Sequence, residues 1–564
     1  MRTKFVFFVI CLLFVGIIAR LYYWQVVKGL ELKKQAGGQY RSIRLSQAPR
    51  GNILASDGSW LAVMRPGWLL FAEPPKLNTD RKEIAKALSK IFVKDEFENK
   101  EDYENAIIKE TDRINELLNK KGLVWVPLKN KLIAEEKTRI ENLDIKGLGF
   151  ELQEVRFYPE GSSSAHLLGF LGKNDDGKDV GYFGLEGYYD IILSGKSGIV
   201  KAEKDLKGGN LLSSQTLEAD SVPGADLKTH IDKRMQLAVE KKLKEALEKY
   251  DAKAGSVIVM DPKSGAILAM GSYPSYDPAK YSQFDTSLFR NPVISDSFEP
   301  GSVFKVIVMA SALDAGVIKK DTICDICDKP LKVDKYSIET WNNKYHPNST
   351  MTEVIINSDN VGMSFVAQKL GVNKMYEYLS KFGIGSLTGI DLQGEATPNL
   401  RKESSWNVVD LVTASFGQGI AVTPIQMIKA VSAIANDGNM VTPKIVMDGK
   451  SSVIEKVISK EASDEITEMM VEAAKNGEAK WTNLKGFSVA GKTGTAQIPI
   501  AGHYDPEKTI ASFVGFAPAE DPKFVMLVTL KEPQSSPWAS ETAAPLWYSI
   551  AKDLFQIFGI QPEN

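Results

Sequence analysis

Cysteine and histidine are scarce: the 564-residue chain has three of the first and four of the second. Three cysteines exclude a disulfide framework as the means of holding so long a chain together. Cys11 falls in an apolar N-terminal run, and Cys324 and Cys327 form a CDIC pair that is a local disulfide, two buried thiols or half of a zinc site. A zinc centre needs two further ligands at suitable spacing, and His166, His230, His346 and His503 are scattered. Excess charge of either sign is lacking too. Lys+Arg total 69 against 71 Asp+Glu, a net charge of −2 with no long basic stripe, which excludes a polyanion-binding surface and with it nucleic-acid recognition. There are no internal repeats and no low-complexity segment, which excludes a repeat architecture.

What is present is ordinary globular material, 43% hydrophobic and 25% charged, in a chain long enough for two to four domains. From Phe5 to Ala19 run fifteen uncharged, almost wholly apolar residues. Continuing through Arg20 to Val27 reaches the length of a membrane span if Arg20 snorkels, with Tyr22, Tyr23 and Trp24 at interfacial depth. A cleaved signal peptide is the rival reading. It lacks a small-x-small site, because Ala19 is followed by Arg20 and Leu21. An uncleaved anchor is expected, with Arg2 and Lys4 keeping the N-terminus cytoplasmic and the bulk of the chain outside the membrane.

Turn signals at Ala48–Asn52 and Ser56–Ser59 mark the next stretch, and charge then dominates from Asp80 to about Glu141. Apolar residues recur there at helical spacing, as in Ile107, Ile108, Ile114, Leu117 and Leu118, which reads as solvated amphipathic helices or as a partner-binding arm. Glycine-rich loops and short strands follow from Leu148 to about Asn210. After a boundary near Pro223-Gly224, LKTHID predicts a strand and RMQLAVEKKLKEALEKY a helix. AGSVIVMDPKSGAILAMGSYP predicts an antiparallel hairpin about its DPKSG turn. FSVAGKTGTAQ and SFVGFAPAEDPKFVMLVTLKEP supply three more strands, beyond a mostly helical middle. This order predicts an α+β arrangement with helices packed on an antiparallel sheet.

Within EPGSVFKV, Pro300-Gly301 sets a turn and Ser302 opens the helix that carries Lys305. Residues i and i+3 share a helix face, so the lysine amine can approach the serine hydroxyl. A hydroxyl attacks only when a base takes its proton, and a lysine can be that base when burial and neighbouring cations lower its pKa. The competing reading is a helix-capping serine followed by a surface lysine. Ser358-Asp359-Asn360 lies 56 residues beyond Ser302 and offers a second hydroxyl for a proton relay and a carboxamide for a substrate amide. Lys492-Thr493-Gly494-Thr495 lies on a predicted strand, offering positive charge, hydroxyls for a substrate carboxylate, and a glycine that permits close backbone approach by an extended peptide. A second Ser-x-x-Lys, Ser549/Lys552, has no such company and reads as an accident of the C-terminal helix. All three motifs in this order carry far more weight than any one.

At this point the chain resembles the penicillin-binding serine acyltransferases, and among them the class B penicillin-binding proteins of the division type. The resemblance spans nearly the whole chain: Pro49-Arg50-Gly51 with Leu61-Ala62, RFYPEG (156–161), HLLGF (166–170), GLEGYYD (184–190), SFGQGIAVTPIQM (415–427), VAGKTGTAQ and ASFVGFAPAEDP (511–522). NILASDGSWLA departs from the Asp-Arg-Asn-Gly turn usual in the family, in the membrane-proximal part and away from the catalytic motifs. The resemblance implies a multidomain α+β chain: cytoplasmic tip and transmembrane anchor (1–27), elongated mixed α/β pedestal for dimerisation or partners (28–225), and penicillin-binding, β-lactamase-like serine transpeptidase domain (226–564). It implies that Ser302 is the acylated nucleophile, Lys305 its base, Ser358 and Asn360 the proton-shuttling and substrate-orienting pair, and Lys492 and Thr493 the second cation and its neighbour. Thr495 would contact a substrate carboxylate or amide, and the backbone N–H groups of Ser302 and Thr495 would form the oxyanion hole.

The reaction so implied is two-step acyl transfer on peptidoglycan stem peptides ending in D-Ala-D-Ala, with an amine acceptor, inhibition by β-lactams, and no metal or organic cofactor. A membrane-embedded glycan polymerase and division proteins enter as partners on the resemblance alone. Two rivals stand beside it. A β-lactamase or penicillin sensor would share the motifs, and Glu395 in EATPN, 37 residues after Ser358, could hold a deacylating water. An inactive division scaffold would not need the intact Ser302, Lys305, Asn360 and Lys492. An elongation rather than a septal role is the alternative within the family.

Overall fold

A computed structural model describes residues 2–33, 41–46, 48–93, 99–203, 216–449, 454–500 and 503–562. They fall into two compact units, one of residues 1–51 with 191–225 and one of residues 52–190 with 226–564.

The smaller unit begins with the α-helix Arg2–Tyr22, which runs on through a π-turn, Tyr23–Val27. At 26 residues this helix is long and apolar enough to cross a membrane, and it buries no residue against protein. The unit also holds a three-stranded antiparallel sheet in which Gly198–Glu203 lies between Arg41–Ser46 and Thr216–Ala219.

In the larger unit, the long strand Trp60–Ala72 pairs with Leu148–Phe157, Val126–Leu132 and Ile53–Leu54. The charged region does fold as amphipathic helices. Asp80 caps Arg81–Phe92 and Asn99 caps Lys100–Leu118, and their apolar stripes (Ile84, Leu88, Ile114, Leu118) close over Leu70, Val126 and Leu128. Ile108 stays exposed on the outer side. Arg156 of RFYPEG and Glu186 of GLEGYYD meet as a buried ion pair at 2.6 Å. The strand expected in LKTHID is only Leu227–Lys228, and it pairs in parallel with Ile53–Leu54 instead of joining the C-terminal sheet.

The C-terminal part carries α1 (Lys233–Tyr250), β1 (Ala254–Met260), β2 (Ile267–Tyr273), α2 (Lys305–Asp314), α3 (Met351–Ile356), α4 (Asn360–Lys381), α5 (Pro424–Ile434), α6 (Lys460–Asn476), β3 (Ala490–Ile500), β4 (His503–Ala517), β5 (Phe524–Lys531) and α7 (Ala543–Phe558). The five strands form one antiparallel sheet in the order β2-β1-β5-β4-β3, so β3 is an edge. Val257, Val259, Phe513, Met526 and Val528 pack under α1 and α7, where Trp547 is fully buried. Their sequence neighbours Ile258, Val514 and Leu527 point to the other face, where α5 lies against the sheet. That leaves the α2 turn and the α3–α4 junction beside edge strand β3.

Candidate active site

Ser302 lies in a 3₁₀ turn, Gly301–Phe304, that leads directly into α2. The turn is held from outside by the N–H of Gly301, which donates to Gly417 O of the SFGQG segment at 3.0 Å. Ser302 caps neither the turn nor α2, and Lys305 is 0% exposed, so the capping-serine and surface-lysine reading is excluded. Gly494 explains how the turn reaches β3. A Cβ there would stand 2.8 Å from Val303 Cγ1, 2.9 Å from Val303 N and 2.8 Å from Ser512 Oγ. The glycine expected to admit a substrate backbone therefore also admits the turn that bears Ser302.

Lys305 Nζ donates to Ser358 O at 2.6 Å, to Asn360 Oδ1 at 2.8 Å and to Ser358 Oγ at 3.3 Å. Ser358 adopts φ +53, a left-handed conformation that costs a serine roughly 1–3 kcal/mol and turns both its carbonyl and hydroxyl to the lysine. Asp359 begins α4, its Oδ1 accepting from the N–H groups of Val361 (2.7 Å) and Gly362 (3.1 Å). Asn360 is fixed from its other end, its Nδ2 donating to Glu339 O at 2.9 Å. From β3, Lys492 Nζ reaches Ser358 Oγ at 3.0 Å, so two lysines share one hydroxyl. Thr495 Oγ1 accepts from the N–H of Ala539 at 3.0 Å, and its own hydroxyl proton is a further donor.

Burial is the main cause lowering the Lys305 pKa to about 7, and the adjacent charge of Lys492 adds to it, while Asp359 and Glu478 pull the other way. Lys492 is also lowered by burial, opposed by Glu478. Among the described residues no hydrogen bond joins Ser302 Oγ to Lys305 Nζ, whose donors point at Ser358 and Asn360. Catalytic hydrogen bonds of this kind commonly tighten only once substrate is bound.

Four features of this region lay outside the motifs. Glu478 accepts from Thr493 Oγ1 at 3.1 Å. Glu339 and Ala539 hold Asn360 and Thr495, and Trp341 and Trp538 meet edge to face at 5.3 Å. The expected accident at Ser549/Lys552 lies on α7, with Lys552 exposed. Glu395 closes its own loop, accepting from the N–H and hydroxyl of Thr388 and from the N–H of Gly389, so its carboxylate is committed to a turn. Cys324 and Cys327 are joined as a disulfide, which removes the thiol and zinc alternatives.

Residues 255–556 match the family model described as the penicillin binding protein transpeptidase domain, and residues 45–229 match the penicillin-binding protein dimerisation domain. The chain is 33% identical to stage V sporulation protein D of Bacillus subtilis, over 100% of this chain and 86% of the relative. It is 29% identical to the peptidoglycan D,D-transpeptidase FtsI of Escherichia coli, over 97% and 90%. The crystal structure of penicillin binding protein 2X from Streptococcus thermophilus shares the fold with a TM-score of 0.73, covering 92% of this chain and 80% of that one at 24% identity. On its matched domains and its relatives, the chain belongs to the class B penicillin-binding proteins, the serine transpeptidases of peptidoglycan.

Proposed function

We propose that this chain crosslinks peptidoglycan by two-step acyl transfer on Ser302. In the first step Lys305, as the neutral amine, takes the Ser302 proton while Oγ attacks the penultimate D-alanine carbonyl of a donor stem. The backbone N–H groups of Ser302 and Thr495 receive the developing oxyanion, each such donor contributing about 10²–10³ in rate. Ser358 Oγ, held between Lys305 and Lys492, relays the proton to the leaving terminal D-alanine, and Asn360 orients the donor amide. Lys492 and the Thr495 hydroxyl bind the terminal carboxylate, beside Thr493, whose own hydroxyl proton goes to Glu478. In the second step an amine from a neighbouring stem displaces Ser302 and forms the crosslink. A β-lactam mimics the donor terminus and leaves an ester that no second substrate resolves.

The observation that carries this reading is the buried Lys305 amine bonded to Ser358 and Asn360, with Ser358 Oγ shared by Lys492. Labelling with a fluorescent penicillin tests it. The full chain should form one covalent adduct, mapped by mass spectrometry to Ser302 and absent from Ser302→Ala. Loss of a Ser302-dependent adduct would favour the inactive scaffold, and rapid turnover of penicillin would favour a hydrolase.

The division-type spelling of the motifs, with relatives named FtsI and stage V sporulation protein D, supports a septal role over an elongation role. The apolar helix Arg2–Val27 would anchor the chain once, N-terminus inside, beside a glycan polymerase and division proteins. A fluorescent fusion concentrated along the side wall and absent from septa would reverse the assignment.

A further inference from the structure

Glu478 enters the site from a segment that carries none of the motifs. α6 ends at Asn476, and at Gly477 a Cβ would lie 2.3 Å from Ala473 O and 3.1 Å from Ile356 O. Ala473 O is the last-turn carbonyl of α6 itself and Ile356 O ends α3, so a glycine relieves a crowded helix end. The next residue is brought to β3, where Glu478 Oε2 accepts from Thr493 Oγ1 at 3.1 Å. Thr493 Oγ1 is 3.3 Å from Lys492 Nζ, Lys492 Nζ is 3.0 Å from Ser358 Oγ, and Lys305 Nζ is 3.3 Å from the same hydroxyl. A continuous polar row therefore runs from Lys305 through Ser358, Lys492 and Thr493 to a carboxylate.

Two ammonium groups sharing one buried hydroxyl repel, and the favoured state has one of them neutral. The base needed beside Ser302 is the neutral one, so something must fix the remaining charge on the other. The charged groups facing Lys305 are Lys492 on β3, Asp359 at the start of α4, and Glu478 after α6. Asp359 commits an oxygen to two N–H groups of α4. Glu478 is separated from Lys492 by a single hydroxyl and from Lys305 by three side chains.

We propose that Glu478 is a positioning residue for the active-site proton: through Thr493 it anchors the positive charge on Lys492, and so leaves Lys305 as the neutral amine one turn from Ser302. It acts on groups that touch substrate without touching substrate itself. The inference rests on the reading of Lys305 as the base.

The test is the second-order rate of acylation by a fluorescent penicillin, measured on the detergent-solubilised full chain from about pH 5 to about pH 10. Glu478→Gln should still form the Ser302 adduct, with both limbs of its pH profile moved to lower pH by roughly half a unit or more, the alkaline limb further. Glu478→Asp, which keeps the charge, should move the limbs less than Glu478→Gln does. If Glu478→Gln does not fold, Glu478→Ala is read in the same way. A uniform fall in rate with both limbs in place, or a shift to higher pH, would overturn the proposal and leave Glu478 a support for the α6–β3 connection. Failure of the wild-type chain to form a Ser302 adduct would instead sink the functional reading, whatever Glu478 does.

Discussion

Lys305 shows how one residue changes role with its surroundings. Exposed, it would be a cation at neutral pH; buried and beside Lys492, its pKa falls from the ordinary lysine range to about 7. The rate of acylation by a β-lactam should then rise about tenfold per pH unit below the neutral range and level off near pH 7, as the amine form fills. Stopped-flow acylation across that range measures the limb, and a midpoint near the ordinary lysine value would show that Lys305 is not the base. The residue types of this site were legible because three short linear runs hold them: Ser302/Lys305, Ser358-Asp359-Asn360 and Lys492 to Thr495. Their conformations were not. Nothing in the letters NSDN reveals that Ser358 sits at φ +53, and nothing in NGEAK marks Glu478 as a neighbour of Lys492. Both depend on where chain segments distant in sequence cross.

Among the elements, β3 and the turn ahead of α2 behave as one part. Gly494 meets Val303 and Ser512 so closely that Gly494→Ala must push the turn Gly301–Phe304 off the strand. Overpacking of this kind costs about 1–3 kcal/mol, and a displaced nucleophile should lower the acylation rate by more than about tenfold. Denaturant unfolding and acylation kinetics on the same variant give both numbers; a lower stability with an unchanged rate would separate the contact from the chemistry. The β1–β2 hairpin was readable because DPKSG is a turn signal between two β-rich runs, so all its information is local. The LKTHID strand was legible in its place but not in its extent or partner, for the opposite reason. Leu227 pairs with Ile53, and a two-residue parallel strand has no periodicity to read.

At the scale of the larger unit, packing α2 against α4 and α6 places a lysine where a charge is disfavoured. In the unfolded chain Lys305 regains its ordinary affinity for a proton. Between about pH 7 and about pH 10.5 the unfolded state therefore binds more proton than the folded one, and stability from this group rises with pH. Below that window both states are protonated and the full cost of burying the charge remains. Denaturant unfolding at several pH values should show the wild-type chain gaining on Lys305→Met by on the order of 1 kcal/mol per pH unit within the window. A difference that stays flat, or reverses, would mean that Lys305 keeps its ordinary proton affinity in the fold. The consequence reaches beyond stability. At about pH 8 the chain starts as a cation at Lys305 and ends as an amine, so folding itself expels the proton and leaves in place the free amine that the proposed mechanism calls for.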